Sequence, residues 1–188
     1  VGRDETCKNF KLIKCDTLIT EATFGLPIFQ HPNPKEEIKK LINSVKKNKS
    51  SCHIIGAYAL GKAQRVMNLL RQNNYSDTIF IHGSLEKLCN YYKSQKINIG
   101  VFEKVVSKDK SFYEGKIIIA PPSALKDRWS RRFPNPIICM ASGWMTVKQR
   151  AKQRGIELPL VISDHSDWNG LLDTIKKSKA KNILVTHG

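Results

Sequence analysis

Long apolar runs are missing from this chain. No stretch approaches the roughly 20 residues of a membrane span, and nothing at its start resembles a signal peptide, so a soluble protein without a membrane partner is expected. Cysteine is sparse and poorly spaced for metal. Cys7, Cys15, Cys52, Cys89 and Cys139 form an odd set with no C-x-x-C pair, which argues against a zinc knuckle or a disulfide frame and for reduced thiols in the cytoplasm. Cys52 and Cys139 fall inside strand-like apolar runs and are expected to be buried. Internal repeats and low-complexity segments are absent too.

Acidic residues are also few. Asp and Glu number 16 against 32 Lys and Arg, a formal net charge of +16 over 188 residues. A polyanionic partner, most simply nucleic acid, is the first expectation, because each phosphate contact releases bound counterions. A membrane surface is a weaker candidate. The lysines are spread along several helices, so a basic solvated surface is the plain alternative.

What the chain does contain is an alternation of short apolar runs with amphipathic stretches. Strands are predicted at residues 15–20, 52–57, 77–82, 116–120, 137–140, 160–162 and 183–185. Helices are predicted at 35–49 and 60–71, from a Ser84 cap through Tyr92, and from Ser142-Gly143 through Arg154. A last helix carries Trp168, Leu171, Leu172 and Ile175 behind an Asp167 cap. Residues 94–114 read as a short strand and a lysine-rich loop, and the two prolines of His31-Pro32-Asn33-Pro34 mark a domain transition with His31 in a loop. The fold class is α/β with a mostly parallel sheet.

Residues 159–188 form a strand, helix, strand unit. A parallel crossover there would put His165 and His187 at the carboxyl ends of neighbouring strands, where open α/β sheets gather ligands. Glu21 directly follows the first strand. One carboxylate and two imidazoles either converge on one rim or are structural residues satisfied by backbone partners.

Two segments could cradle phosphate. Gly56-Ala57-Tyr58-Ala59-Leu60-Gly61-Lys62 satisfies G-x-x-x-x-G-K between a strand and a helix, where free N–H groups and the helix dipole face one point. The next residue is Ala63, without the hydroxyl that would hold Mg²⁺, so an ATPase using Asp164 as its acid is the less favoured reading. The second segment is Met140-Ala141-Ser142-Gly143-Trp144-Met145; a tight turn needing Gly explains it equally well.

In order and context, five blocks resemble the β-CASP nucleases of the metallo-β-lactamase fold. They are Thr20-Glu21-Ala22-Thr23-Phe24-Gly25, the stretch Gly56 to Gln64, Ala141-Ser142-Gly143-Trp144-Met145, Ser163-Asp164-His165-Ser166-Asp167 and Val185-Thr186-His187-Gly188. The resemblance spans nearly the whole chain and is nearest to the bacterial DNA-ligase-associated exonucleases, also called RNA 3′-end processing factors. It implies a β-CASP cap with a parallel α/β sheet at residues 31–155, inserted in a metallo-β-lactamase αββα domain represented by residues 1–30 and 156–188.

It also implies a zinc-dependent nucleic-acid phosphodiesterase, engaged in DNA repair or RNA processing and partnered by DNA or RNA and by a DNA ligase system. Glu21 and His165 would be catalytic, His187 a zinc ligand, and Gly61, Lys62, Gln64, Ser142 and Gly143 substrate-binding. Two zinc ions are expected in the full-length enzyme. The family's H-x-H-x-D-H ligands have no counterpart, since the histidines are 31, 53, 82, 165 and 187. This chain can supply at most one zinc ligand. Together with Val1 in place of a start methionine and a finish at Thr186-His187-Gly188, this leads to the expectation of a fragment that lacks its N-terminal metal-binding half and is inactive alone. The alternative is a basic nucleic-acid-binding module without chemistry.

Overall fold

The computed structural model describes residues 5–8 and 10–188. Its main body is a parallel six-stranded sheet. In chain order the strands are β2 (His53–Gly56), β3 (Ile79–Ile81), β4 (Phe102–Lys104), β5 (Ile117–Ala120), β6 (Ile137–Ala141) and β7 (Leu158–Leu160). Across the sheet the order is β4-β3-β5-β2-β6-β7. Its central strands are apolar on both faces, as a sheet covered on both sides requires. Ile55, Ile117 and Ile119 face one core with Ile38, Leu41, Val66, Met67 and Leu70. Ile54, Ile118 and Met140 face the other with Tyr113, Phe133 and Met145.

The first core is roofed by α1 (Pro34–Lys47), α2 (Lys62–Gln72) and α3 (Glu86–Ser94). Asn33 caps α1 by accepting the Lys35 N–H, with Pro34 as first helical residue. The turn before α3 is capped by His82, whose ring accepts the Ser84 N–H (3.1 Å), and not by Ser84 as the sequence suggested. Over the second core the predicted helix through Arg154 is in two pieces, a 3-10 turn at Gly143–Thr146 and α4 (Lys148–Gln153). β-branched Thr146 and Val147 fall at the break, where Val147 is extended.

A separate two-stranded parallel sheet joins β1 (Thr17–Glu21) to β8 (Asn182–Thr186), with α5 (Trp168–Ser178) leading into β8. This corrects the strand, helix, strand reading: β7 and β8 are not neighbours. β7 pairs with β6, and β8 crosses to β1. It also carries the six-stranded sheet through Leu160, past the expected boundary at residue 155. Ile19, Leu184 and Val185 on the small sheet are all more than half exposed. Parallel strands are ordinarily covered on both faces, and two strands alone are marginal.

Among the described residues, no helix is long and apolar enough to cross a membrane. Cys52, Cys89 and Cys139 are buried free thiols, whereas Cys7 is exposed.

Candidate functional site

Glu21 and His165 meet, although they come from different sheets. β1 ends at Glu21, and the loop after β7 delivers His165, whose Nδ1 lies 3.3 Å from Glu21 Oε2. The same carboxylate oxygen accepts the Thr23 N–H at 2.8 Å. Burial alone would raise the Glu21 carboxyl, but the Thr23 hydrogen bond and the His165 partner outweigh it and hold the group below its ordinary value. Glu21 therefore stays ionised near neutrality and fixes the imidazole with Nδ1 toward the carboxylate and Nε2 on the opposite side of the ring.

The His165 loop is held from beneath. Ser163 Oγ accepts the His165 N–H (3.0 Å) and donates to its carbonyl (3.1 Å). Asp164 is gripped by two cations one helical turn apart on α2: Lys62 Nζ at 3.2 Å and Arg65 Nη1 at 3.5 Å. Lys62 also donates to the Ile162 carbonyl (3.0 Å), and Arg65 to that of Ser163. Burial lowers the Lys62 ammonium below its ordinary value; Asp164 offsets part of this and Arg65 adds to it. Asp167 caps α5 through Gly170 N–H (2.9 Å) and with its second oxygen accepts the His31 N–H (3.1 Å).

An aromatic cluster joins this loop to the second core. The Phe24 ring touches His165 (centroids 6.0 Å apart), His31 (4.8 Å), Phe29 (5.0 Å) and Trp144 (5.1 Å). Gly143 explains itself here. A Cβ on it would lie 2.4 Å from Phe24 Cζ, so the glycine makes room for the ring. Ser142 Oγ accepts the Trp144 N–H (3.3 Å) and caps the turn. Beside the pair opens a cavity of about 280 Å³ lined by His31, Arg65, Ser163, His165 and Asp167. His31, expected in a loop, is in one but half-buried, its Nε2 buried in the cavity wall without a hydrogen-bond partner.

The structure corrects the phosphate cradle at Gly61-Lys62. Gly61 N–H donates to Gln64 Oε1 (2.8 Å), Lys62 N–H to the Leu60 carbonyl and Ala63 N–H to that of Tyr58. These three N–H groups are thus taken up within the loop. Lys62 is buried on Asp164, and Gln64, also buried, donates to the Ala59 carbonyl (2.9 Å). These residues shape the site from behind.

His187 follows Thr186, which pairs with Glu21 in the β1–β8 register, so the three acid/base residues share one rim. Its ring bonds Thr186 Oγ1 (2.9 Å), and Gly188 packs against Ala22. Among the described residues, no group of three or more His, Cys, Asp or Glu side chains is arranged to hold a metal ion. The donors present thus do not make a complete zinc centre.

Sequence reasoning missed Thr23, Phe24, Arg65 and Ser163. Arg65 alone had a signal, its three-residue spacing from Lys62.

No protein-family model matches the chain. It is similar to a protein of Opitutus terrae named "Probable DNA ligase", 22% identical over 182 residues. The match covers 92% of this chain and 17% of that protein.

Proposed function

We propose that this chain is the nucleic-acid-handling part of a larger phosphodiesterase of the β-CASP, metallo-β-lactamase kind, working on DNA or trimming RNA 3′ ends beside a DNA ligase. The observation that carries this reading is the Glu21–His165 pair, an imidazole fixed by a carboxylate at the rim of a cavity. His165 would bind the scissile phosphate and pass a proton from the Nε2 side to the leaving oxygen, while Glu21 holds the ring and balances its charge. Ser142 and Gly143 would border the strand through the Trp144 turn.

The net charge of +16 favours a polyanionic substrate, and the relative's name, a probable DNA ligase, favours DNA. The exposed apolar face of the β1–β8 sheet suits burial against further polypeptide, which would also bring the donors missing from a metal centre, with His187 as one ligand among them.

The test is cleavage of single- and double-stranded DNA and RNA by the longest natural protein carrying this chain, loaded with zinc. His165→Ala should reduce turnover about a hundredfold or more at unchanged metal content, and Glu21→Gln should lower it less. His187→Ala should lower metal content and activity together. An intact, metal-loaded protein that binds nucleic acid without cleaving it would make this chain a basic binding module instead.

A further inference from the structure

A cavity larger than the one beside the Glu21–His165 pair lies elsewhere in the fold. It has about 650 Å³, within the range of ligand pockets, and opens on the second-core face of the six-stranded sheet. β5 and β6 lie on opposite sides of β2 in the sheet. The cavity is walled by the turn after β5, by β6, and by the end of α4 with the segment that follows it.

Its chemistry is mixed in a definite way. The floor is apolar, made by Leu125, Ile138, Met140 and Ile156. Three exposed cations, Lys126, Lys152 and Arg154, stand at the mouth beside the Gln153 amide. The nearby Glu157 carboxylate is engaged by the Ile138 N–H (3.0 Å). A flat apolar body with an attached anion matches floor and rim together, and an amide that both donates and accepts suits the edge of a base.

The cavity is also connected to the first site. Met140 of the floor is three residues from Gly143, roughly 10 Å along an extended chain at about 3.3 Å per residue. Arg150 of α4 stacks on Trp144 at 3.9 Å, Trp144 meets Phe24, and Phe24 meets His165. A basic and aromatic path thus runs from one site to the other.

From this we infer that the cavity walled by Leu125, Met140, Ile156, Gln153 and Arg154 is a second binding site, taking a nucleobase with its phosphate. The inference rests on the nucleic-acid reading and deepens it. The ligand is either a free nucleotide or one unit of a strand whose scissile bond lies at His165.

The experiment measures binding of a fluorescent single-stranded oligonucleotide at low salt, with a nucleoside monophosphate as competitor. Lys152→Ala with Arg154→Ala should weaken binding about tenfold. The matched change Lys46→Ala with Lys47→Ala, on α1 over the other face, should weaken it about twofold or less. Gln153→Ala alters no charge and should still cost about threefold. Competition by the monophosphate identifies a free-nucleotide site, and its failure to compete identifies a strand subsite; either supports the assignment when the rim variants behave as stated. Equal loss in both double variants, or no effect of Gln153→Ala, overturns the pocket while leaving nucleic-acid binding intact. No binding by the unmodified chain overturns both.

Discussion

Lys62 shows how far a residue's role can depart from its motif. In the sequence it closes a G-x-x-x-x-G-K string; in the fold its ammonium is buried against the Ile162 carbonyl and Asp164. Lys62→Met keeps most of the volume but leaves that carbonyl without its donor. A loss of about 1–3 kcal/mol in urea denaturation is expected. A change within a few tenths would show that Arg65 alone holds the loop.

His53 is a second such residue. Its Nε2 bonds Ser44 Oγ at 2.8 Å, its Nδ1 is buried without a partner, and burial pushes the imidazole down to about 4 from its ordinary 6.5. The folded ring therefore binds a proton less readily than the unfolded one. Stability is full above about pH 6.5 and falls as the pH drops from there toward 4, by about 3 kcal/mol at most. His31 and His82 are also lowered and add in the same direction. His53→Phe should flatten that slope relative to the unmodified chain, read from urea midpoints across the window; an unchanged slope would exclude His53 as its source.

At the scale of elements, the start of α5 has two tasks. Asp167 caps the helix with one oxygen and holds the His31 backbone with the other, and the Trp168 N–H donates to the Phe29 carbonyl (3.0 Å). One helix end thereby pins the 24–31 segment next to His165. Asp167→Ala removes both bonds and should cost about 1–2 kcal/mol by thermal or urea unfolding, whereas Asp167→Asn should retain most of the cap. Similar losses in the two variants would show that charge matters here more than capping.

For the whole molecule, the balance of 32 basic against 16 acidic residues dominates any encounter with a polyanion. Binding of single-stranded nucleic acid should weaken steeply with salt, each neutralised phosphate contributing about −0.7 to the slope of log affinity against log salt. A total slope shallower than about −2 would deny phosphate contacts the leading part.

Much of this was legible in the chain itself. Periodicity located α1, α2 and α5 to within a few residues, the Asp167 cap was identified from residue type and place, and the alternation of strands with helices announced a mostly parallel sheet. Local order is written locally, in side-chain spacing and backbone preference. Glu21, His165 and His187 could be singled out, since strand ends are readable, with convergence on one rim as one of two readings. Their arrangement could not. Which strand pairs with which is a choice among apolar ribbons of similar pattern, so only the tertiary structure sent β7 to β6 and β8 to β1, and brought His165 across from another sheet to Glu21. Packing likewise decided that Gly143 makes room for Phe24 and that the Gly61-Lys62 loop satisfies its own N–H groups, because both depend on what lies a few ångströms away in space and far away in sequence.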